Sequence, residues 1–237
     1  MKKLILFFIA LIVPPLLKAG TFSIAVSPGY GMYSMKTLQR NLHKDLIEYK
    51  TDEYKVDYKA VENYPGNIFW GGELRYMYKS DHHIGIGYQY HSTGARLSYM
   101  DYSGELRTDI INEGNILYLL YNRQYNVTED FAITLLINYN LIFTNMDILD
   151  YTQLGSDVTT DKTACYSFAH ALSLGFDFSQ RLGALELGIR VTFMHDMNNL
   201  IISGDYMTDQ KEKSEQLGET EAEWNGIRAG LIFAYHL

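Results

Sequence analysis

Six charged residues lie within segments of the chain that are otherwise apolar or small, and several of them are two or four positions apart. They are Glu73, Arg75, Lys79, Glu186, Arg190 and Arg228. Residues at even spacing share one face of a β-strand, and charged groups removed from water must be paired. The six residues are therefore predicted to form an ion-pair network in the interior of a structure built from strands. A structural role, filling and rigidifying a narrow interior, is favoured over a gate across a small pore.

Histidines offer the other candidate chemistry, and their surroundings fit it poorly. Acyl transfer needs a serine beside a histidine, which His91 and Ser92 could supply. Neighbouring residues of a strand point to opposite faces, so these two side chains diverge, and His170 falls among bulky apolar residues. His82 and His83 lie in a tight turn with no convincing third ligand. We therefore predict no catalytic residue, no metal site and no cofactor, and a protein that is not an enzyme.

Alternation of bulky apolar residues with small or polar ones defines the elements that carry these residues. Period-two hydrophobicity indicates β-strands, and it is clearest at 131–143 and 165–178. Tight connections between segments alternate with four connections of about ten to thirty residues, as in outer-membrane barrels with short periplasmic turns and long outer loops. Eight strands are expected, at about 22–35, 67–79, 84–102, 115–126, 131–143, 165–178, 184–196 and 224–237.

The less bulky face of these strands decides which side meets lipid. It carries Ser, Ala, Gly and Asn, whereas a water-facing surface normally carries Lys and Glu. Small residues suit the interior of an eight-stranded barrel, which is just wide enough to be filled by side chains. The apolar face then points outward, and closure leaves no unpaired edge in hydrocarbon. We predict an all-β fold, an eight-stranded antiparallel up-and-down transmembrane β-barrel, over a soluble barrel with an apolar interior. The faces of the strand at 115–126 stay ambiguous because both are apolar.

The N-terminus reads as a targeting segment. Lys2 and Lys3 precede an apolar run of 14 residues ending at Leu17, followed by Lys18, Ala19 and a glycine. This run is shorter than the ~20 residues a spanning helix needs, so residues 1–19 are predicted to be a cleaved signal peptide and 20–237 the barrel domain. Removing three lysines changes the net charge from −8 to about −11, which gives no electrostatic case for nucleic acid. The single cysteine allows no intrachain disulfide.

The last strand carries the most specific motif, which has the order polar, any, Gly, any, any, aromatic, any, aromatic. Its residues are Arg228, Gly230, Phe233 and Tyr235. With this motif and its strand pattern, the chain after the signal resembles the small bacterial outer-membrane barrels of the OmpA, OmpX and OmpW type. The resemblance implies that the barrel-assembly machinery recognises this strand as an assembly signal; in this chain two further residues follow the final aromatic.

The resemblance also implies a place in the bacterial outer membrane, in contact with outer-membrane lipid and lipopolysaccharide. The favoured function is a non-enzymatic, surface-exposed structural or adhesion-like interaction protein. The alternatives are a narrow channel for small or apolar solutes and a lipid-A-modifying enzyme. The connection 36–65 mixes aromatic and charged residues, and long loops on rigid scaffolds commonly carry recognition. We expect an extracellular ligand to bind through this loop, and the first two strands to extend into it.

Overall fold

The fold is known from a computed structural model, which describes residues 21–40, 59–197, 203–204 and 222–237. The predicted signal peptide and residues 41–58 of the first long connection lie outside this part of the chain. The strands are β1 (Thr21–Val26), β2 (Gly29–Tyr33), β3 (Lys59–Asn63), β4 (Asn67–Lys79), β5 (His82–Met100), β6 (Gly104–Asn126), β7 (Phe131–Leu154), β8 (Asp157–Leu182), β9 (Leu185–Asp196), β10 (Ser203–Gly204) and β11 (Gly226–His236). Within the described residues, no helix is long and apolar enough to cross a membrane.

The strands close into a ring of eight positions. Each strand from β4 to β9 pairs antiparallel with its neighbour in the chain, and β9 pairs with β11. Ser27 and Pro28 divide the first position into β1 and β2, because proline has no N–H to donate to a ladder. Both parts pair with β4 on one side and β11 on the other. The predicted eight-stranded antiparallel barrel is confirmed.

An apolar belt surrounds the barrel, since every one of the eight positions turns large apolar side chains outward. One residue from each is between 38% and 61% exposed: Ile24, Leu74, Ile86, Leu119, Ile137, Leu174, Ile189 and Leu231. Soluble monomers rarely expose an apolar patch beyond a few hundred Å², whereas a transmembrane barrel requires such a band around its circumference. The predicted outward direction of the apolar faces is therefore confirmed.

The ambiguous fourth strand, now β6, is resolved by its burial pattern. Leu117 and Leu119 are exposed on the outside, whereas Ile116 and Tyr118 are buried in the interior. A β-carbon on Gly87 of β5 would lie 2.3 Å from the Tyr118 ring, so the glycine leaves the space that this ring fills. The interior is therefore packed with large side chains facing glycines, and not with small residues alone.

Two of the four predicted long outer loops are strand instead. The strands β5 to β8 have 19 to 26 residues, well beyond the ~9–11 that cross a bilayer. Only residues 101–103 and 155–156 connect them at the far end. The extended portions carry polar residues on both faces, so hydrophobic periodicity fades where lipid gives way to water although the backbone pairing continues.

The prediction that the first two strands both extend outward is half right. The second does, because β3 continues the line of β4 and pairs with β5 beyond the belt. The first was expected to reach Met35 and further, but β2 ends at Tyr33 and residues 36–40 are helical. The chain turns at Met35, whose φ of 38° is left-handed, and Met35 is buried in the mouth of the barrel.

A lysine at the middle of the belt tests the outward orientation. Leu174→Lys is expected to lower the free energy of unfolding by about 2–4 kcal/mol, because a lipid-facing charge must enter the hydrocarbon. The control is Thr160→Lys in the water-exposed part of β8, for which a change within about 0.5 kcal/mol is expected. Urea unfolding in phospholipid vesicles measures both, and equal effects of the two lysines would contradict the orientation.

Candidate functional site

An ionic layer lies in the barrel interior toward the end that carries the tight turns. Glu73 of β4 contacts Arg75, with 2.6 Å from Oε2 to Nη2, and also contacts Arg190 of β9. Arg190 in turn holds Asp177 of β8 through two bonds of 2.7 Å. The Tyr118 hydroxyl donates to Glu73 Oε1 over 2.8 Å. These side chains are almost fully buried, and such charge-assisted bonds are roughly twice as strong as neutral ones.

Glu186 extends this layer toward the tight turns. Its Oε2 lies 2.9 Å from His236 Nε2, and its Oε1 lies 3.9 Å from Arg75 Nη1. Glu186 is 5% exposed. The layer therefore runs from the centre of the interior to this mouth of the barrel as one continuous set of polar contacts.

The structure brings together four of the six charged residues singled out by the sequence: Glu73, Arg75, Glu186 and Arg190. The other two lie elsewhere. Lys79 is exposed at the end of β4 and forms no ion pair with the described residues. Arg228 is buried further up the interior and binds neutral groups, donating to Gln89 Oε1 over 2.8 Å and to Ser173 Oγ over 2.7 Å.

Asp177 completes the layer, and sequence reasoning did not single it out. It lies two residues from Gly175 on the small-residue face of β8, and pairs in register with Arg190. A lone carboxylate on an inward face was the available signal, because a buried charge needs a partner on a neighbouring strand. The sequence placed Asp177 on the small-residue face, but nothing along the chain indicated its partner on the neighbouring strand.

A second polar layer, in which Gln89 binds Arg228, follows above the ionic one. His91 Nδ1 and the Tyr33 hydroxyl share a hydrogen bond, and Gln89 Oε1 lies 3.2 Å from His91 Nε2. The Phe69 ring stacks on the imidazole with 4.9 Å between centroids. Ser92 points away, to Asn67 on the outer face, so the two neighbours His91 and Ser92 diverge.

An apolar plug fills the outer half of the interior. Trp224 is completely buried at its centre, with its indole N–H donating to Thr144 Oγ1 over 2.8 Å. It packs edge-on against Tyr33, in one cluster with Met35 and Leu38 from the helical segment. This plug was not predicted. Met35 and Trp224 were expected to be the end residues of the first and last strands, but both lie outside the strands, and Leu38 stands in a connection without hydrophobic periodicity.

The segments that supply the plug are joined to each other. The Glu223 carboxylate accepts from the backbone N–H of Lys36 and the hydroxyl of Thr37, each over 3.2 Å. A carboxylate at the first turn of a helix satisfies donors that the helix leaves free and complements its dipole. The two connections therefore close the outer mouth together.

Two further histidines have tyrosine partners. On the outer surface, the Tyr139 hydroxyl lies 2.6 Å from His170 Nδ1, which gives this belt histidine a neighbour other than lipid. His82 Nδ1 lies 2.7 Å from the Tyr121 hydroxyl at the turn end. Within the described residues, no three histidine, cysteine or carboxylate groups are placed to hold a metal ion.

The residues of the assembly motif all lie in β11. Phe233 and Tyr235 are exposed in the belt at 41% and 49%. A β-carbon on Gly230 would lie 2.5 Å from the Pro28 carbonyl oxygen, so glycine permits the close approach of β11 to the interrupted first strand. Arg228 points inward. Recognition of this strand by the assembly machinery stays a prediction.

Comparison with known proteins gives matches among solved structures only. No family model and no curated protein matches the chain. The N-terminal β-barrel domain of OprF from Pseudomonas aeruginosa aligns at 9% identity and a TM-score of 0.34, over 92% of this chain and 99% of that one. Ail, the attachment invasion locus protein of Yersinia pestis, aligns with the same coverages at 10% identity and a TM-score of 0.37, in a complex with the heparin analogue sucrose octasulfate. With its closed ring and apolar belt, the chain is an eight-stranded transmembrane β-barrel that resembles the small outer-membrane barrels in fold.

Proposed function

We propose that the protein is a non-enzymatic, surface-exposed structural and interaction protein of the bacterial outer membrane, surrounded by outer-membrane lipid and lipopolysaccharide. The observation that carries this proposal is a wall that β5 to β8 and β3 form beyond the apolar belt. The cleaved signal peptide at 1–19 and delivery by the barrel-assembly machinery through β11 are parts of the same proposal. A stable barrel that raises a wall above the membrane presents a surface outside the cell.

The outer face of this wall carries ion pairs, which indicates that it lies in water. Arg96 Nη2 donates to Asp109 Oδ2 over 3.2 Å, Arg107 Nε lies 3.2 Å from the same oxygen, and Lys162 Nζ lies 2.9 Å from Asp147. Exposed ion pairs of this kind add little stability, but they would be costly in hydrocarbon. Their position therefore marks where the lipid-covered part of the barrel ends.

The turn at the summit of the wall is rigid. Asp101 accepts hydrogen bonds from the backbone N–H of Ser103 and from the Tyr99 hydroxyl, both over 2.7 Å. Together with the Ser103 hydroxyl, which makes the largest contribution, these donors lower the pKa of the Asp101 carboxyl to about 2. Because this pKa is lower in the folded state than in the unfolded chain, the ionised carboxyl stabilises the fold. That stabilisation is fully present above the ordinary pKa of aspartate and is lost only as the pH falls toward 2. The turn keeps its bonds across the physiological range.

Exposed apolar side chains lie at the turns that end this polar wall. Met100, Tyr102 and Leu154, here called the apolar tip, are 77%, 103% and 57% exposed. The two hairpins that carry them touch, with the Gly155 N–H donating to the Ser103 carbonyl oxygen over 3.2 Å. Exposed apolar groups on a rigid polar support suit contact with another macromolecule. The apolar tip is therefore the surface that we assign to adhesion.

Replacement of the apolar tip tests this assignment. The triple variant Met100→Ser, Tyr102→Ser, Leu154→Ser is expected to lower adhesion of cells displaying the protein to cultured epithelial cells by about tenfold, the equivalent of ~1.4 kcal/mol. Stability in urea should stay within about 0.5 kcal/mol per site, since the side chains are exposed. The matched control is Thr159→Ser with Thr160→Ser, on exposed wall positions of β8. Undiminished adhesion of the triple variant at equal surface display would contradict the assignment.

The connection 36–65 remains a second candidate for an extracellular ligand. In its described parts, residues 36–40 pack into the mouth and β3 belongs to the wall. Both parts have structural roles, so a ligand-binding role of this connection would rest on residues 41–58, outside the described part of the chain. It stays a prediction.

The alternative functions have less support from the interior. A channel for small or apolar solutes would need a path past both the ionic layer and the apolar plug, whose members are buried and in mutual contact. A lipid-A-modifying enzyme would need a serine beside a histidine near one membrane face, and Ser92 and His91 point in opposite directions. We therefore favour the structural and interaction role.

A further inference from the structure

The barrel wall is interrupted beside β5, just beyond the apolar belt. The ladder of β3 with β5 ends at the pair Asn63–Ala95, and that of β4 with β5 begins at Trp70–Tyr90. Tyr64, between them, has a left-handed φ of 48°, and the proline that follows it cannot donate a hydrogen bond to a ladder. The regular ladder stops there. Only single bonds cross to β5, from the Tyr64 N–H to the Gly94 carbonyl oxygen over 2.7 Å and from Thr93 Oγ1 to the Pro65 carbonyl oxygen over 2.8 Å, and a cleft lies beside them.

The cleft is small and polar on its walls. Its volume is about 230 Å³, below the ~300–1,000 Å³ of pockets for drug-sized ligands. Its polar groups are Asn67, whose side chain donates to Ser92 Oγ over 3.0 Å, and the paired Arg96 and Asp109. A β-carbon on Gly94 would lie 2.5 Å from the Ile110 carbonyl oxygen, so this part of the lining stays without a side chain.

Aromatic rings lie on the side of the cleft that faces the belt. Trp70 is 56% exposed and lies 5.9 Å, between centroids, from the Tyr90 ring. On the outward face of β5, Tyr90 is two residues from Ser92. Tryptophan and tyrosine collect where lipid meets water, so these rings place the cleft at the level of lipid head groups.

The polar groups and aromatic rings of the cleft favour a sugar over a phosphate group or an acyl chain. Sugars present hydroxyl groups to amide, hydroxyl and carboxylate partners, and stack their C–H faces on aromatic rings. Asp109 neutralises the Arg96 guanidinium, so the cleft does not present the unpaired cation that a phosphate prefers. Asn67 and Ser92 hydrogen-bond to each other, and each has further donor or acceptor capacity that a sugar hydroxyl can use and an acyl chain cannot. A neutral sugar unit matches both the polar walls and the aromatic rim.

We propose that this cleft binds a neutral sugar unit in the head group of a glycolipid in the surrounding outer leaflet. The inference rests on the outer-membrane location proposed above, and it deepens that proposal by naming one lipid component and its site. The sugar enters from the lipid side, since the cleft opens on the exterior, next to the belt. Its acyl chains lie against apolar residues on the belt side of Tyr90, such as Ile86 and Leu117, which are 53% and 47% exposed.

The test uses the purified full-length barrel in detergent micelles, titrated with three probes. They are rough-type lipopolysaccharide carrying core sugars, lipid A without those sugars, and soluble methyl glucoside. Binding is followed by native mass spectrometry and by tryptophan emission, in which Trp70 is the exposed fluorophore and Trp224 the fully buried one. We expect the sugar-bearing glycolipid to bind about tenfold or more tightly than lipid A, and the soluble sugar to bind weakly, because it lacks the acyl chains that hold it at the cleft.

Two variants locate the binding. Ser92→Leu fills the cleft and removes a hydroxyl from an outward position, so it should lower affinity for the sugar-bearing glycolipid about tenfold. The control Asn145→Leu makes a comparable polar-to-leucine change at an exposed position of β7, and should leave affinity within about twofold. Heat-modifiable migration on gels confirms that each variant is folded.

Any other result of the probe titrations or of the two variants overturns the inference. Unchanged affinity of Ser92→Leu would show that the glycolipid binds elsewhere. Equal affinity for lipid A would show recognition through phosphates or acyl chains, and equally tight binding of the soluble sugar would assign the cleft to free glycans. Insertion of the folded barrel into phospholipid vesicles is measured in parallel. If it inserts but shows no preference for the sugar, the cleft proposal alone is wrong, whereas failure to insert would also remove the proposed membrane function.

Discussion

Glu73→Gln is expected to lower the free energy of unfolding by about 3–5 kcal/mol, the cost of breaking a buried ion pair from one side. Glu73 is the carboxylate shared by Arg75 and Arg190, and it accepts from Tyr118 as well. Glutamine keeps the size of the side chain but not its charge. Two buried guanidinium groups would then share the remaining carboxylates, of which Asp177 already binds Arg190.

Urea unfolding of the barrel in phospholipid vesicles, followed by heat-modifiable migration, measures this effect. The control is Glu105→Gln in the wall, where the carboxylate lies 3.7 Å from Arg107 and both side chains are partly exposed. Its removal should cost less than about 1 kcal/mol. Equal stabilities of the two variants would mean that water reaches the ionic layer and screens it.

The sequence predicted the strands correctly wherever one face meets lipid and the other meets packed side chains, because residue types then alternate at every second position. Along β8 the outward residues alternate with small or polar inward ones over 165–179, and the structure follows that division. Along β7 the same alternation holds, with Leu136 and Ile142 as large inward exceptions. Beyond the belt this contrast disappears, because water lies outside the wall and tolerates Arg107 or Lys162 where lipid would not. The extensions of β6, β7 and β8 were therefore predicted as loops, although their backbone pairing is continuous.

The interior was predictable only in part. Charges repeated within one strand, such as Glu73 and Arg75, are visible as a pattern along the chain. Asp177 and Arg190 meet only because the register of β8 with β9 places them opposite each other, and register does not follow from either strand alone. For Arg228 the sequence predicted the inward position correctly but the partners wrongly, since the side chain binds neutral groups and not a carboxylate.

The interruption of the wall shows a third kind of limit. The Pro65–Gly66 pair is a recognisable break, and the sequence analysis accordingly began the second strand at residue 67. It could not show that the chain before the break rejoins the same neighbour as β3. The cleft beside Ser92 and Gly94 exists only because β5 runs unbroken past that gap.

Trp224→Ala is expected to lower the free energy of unfolding by about 3–5 kcal/mol, as for other buried tryptophans, without opening the barrel to ions. Its indole is fully buried and holds Thr144 and Tyr33 in the plug. Its loss leaves a cavity in the outer half of the interior. The ionic layer lies below that cavity and continues to close the barrel, so planar-bilayer recordings should show no conductance, as for the unaltered protein.

Conductance is expected only when both layers are removed. Glu73→Ser with Arg75→Ser deletes one charge of each sign, and it leaves the Arg190–Asp177 pair and the contact of Glu186 with His236 in place. Arg190 therefore keeps a carboxylate partner. Combined with Trp224→Ala, it should give a steady ohmic conductance in the fraction of protein that shows folded migration. The Glu73→Ser, Arg75→Ser variant alone is the matched control, and should remain silent because the plug is intact. Conductance from Trp224→Ala alone would show that the ionic layer does not seal the barrel, and conductance from the unaltered protein would favour the channel over the structural role.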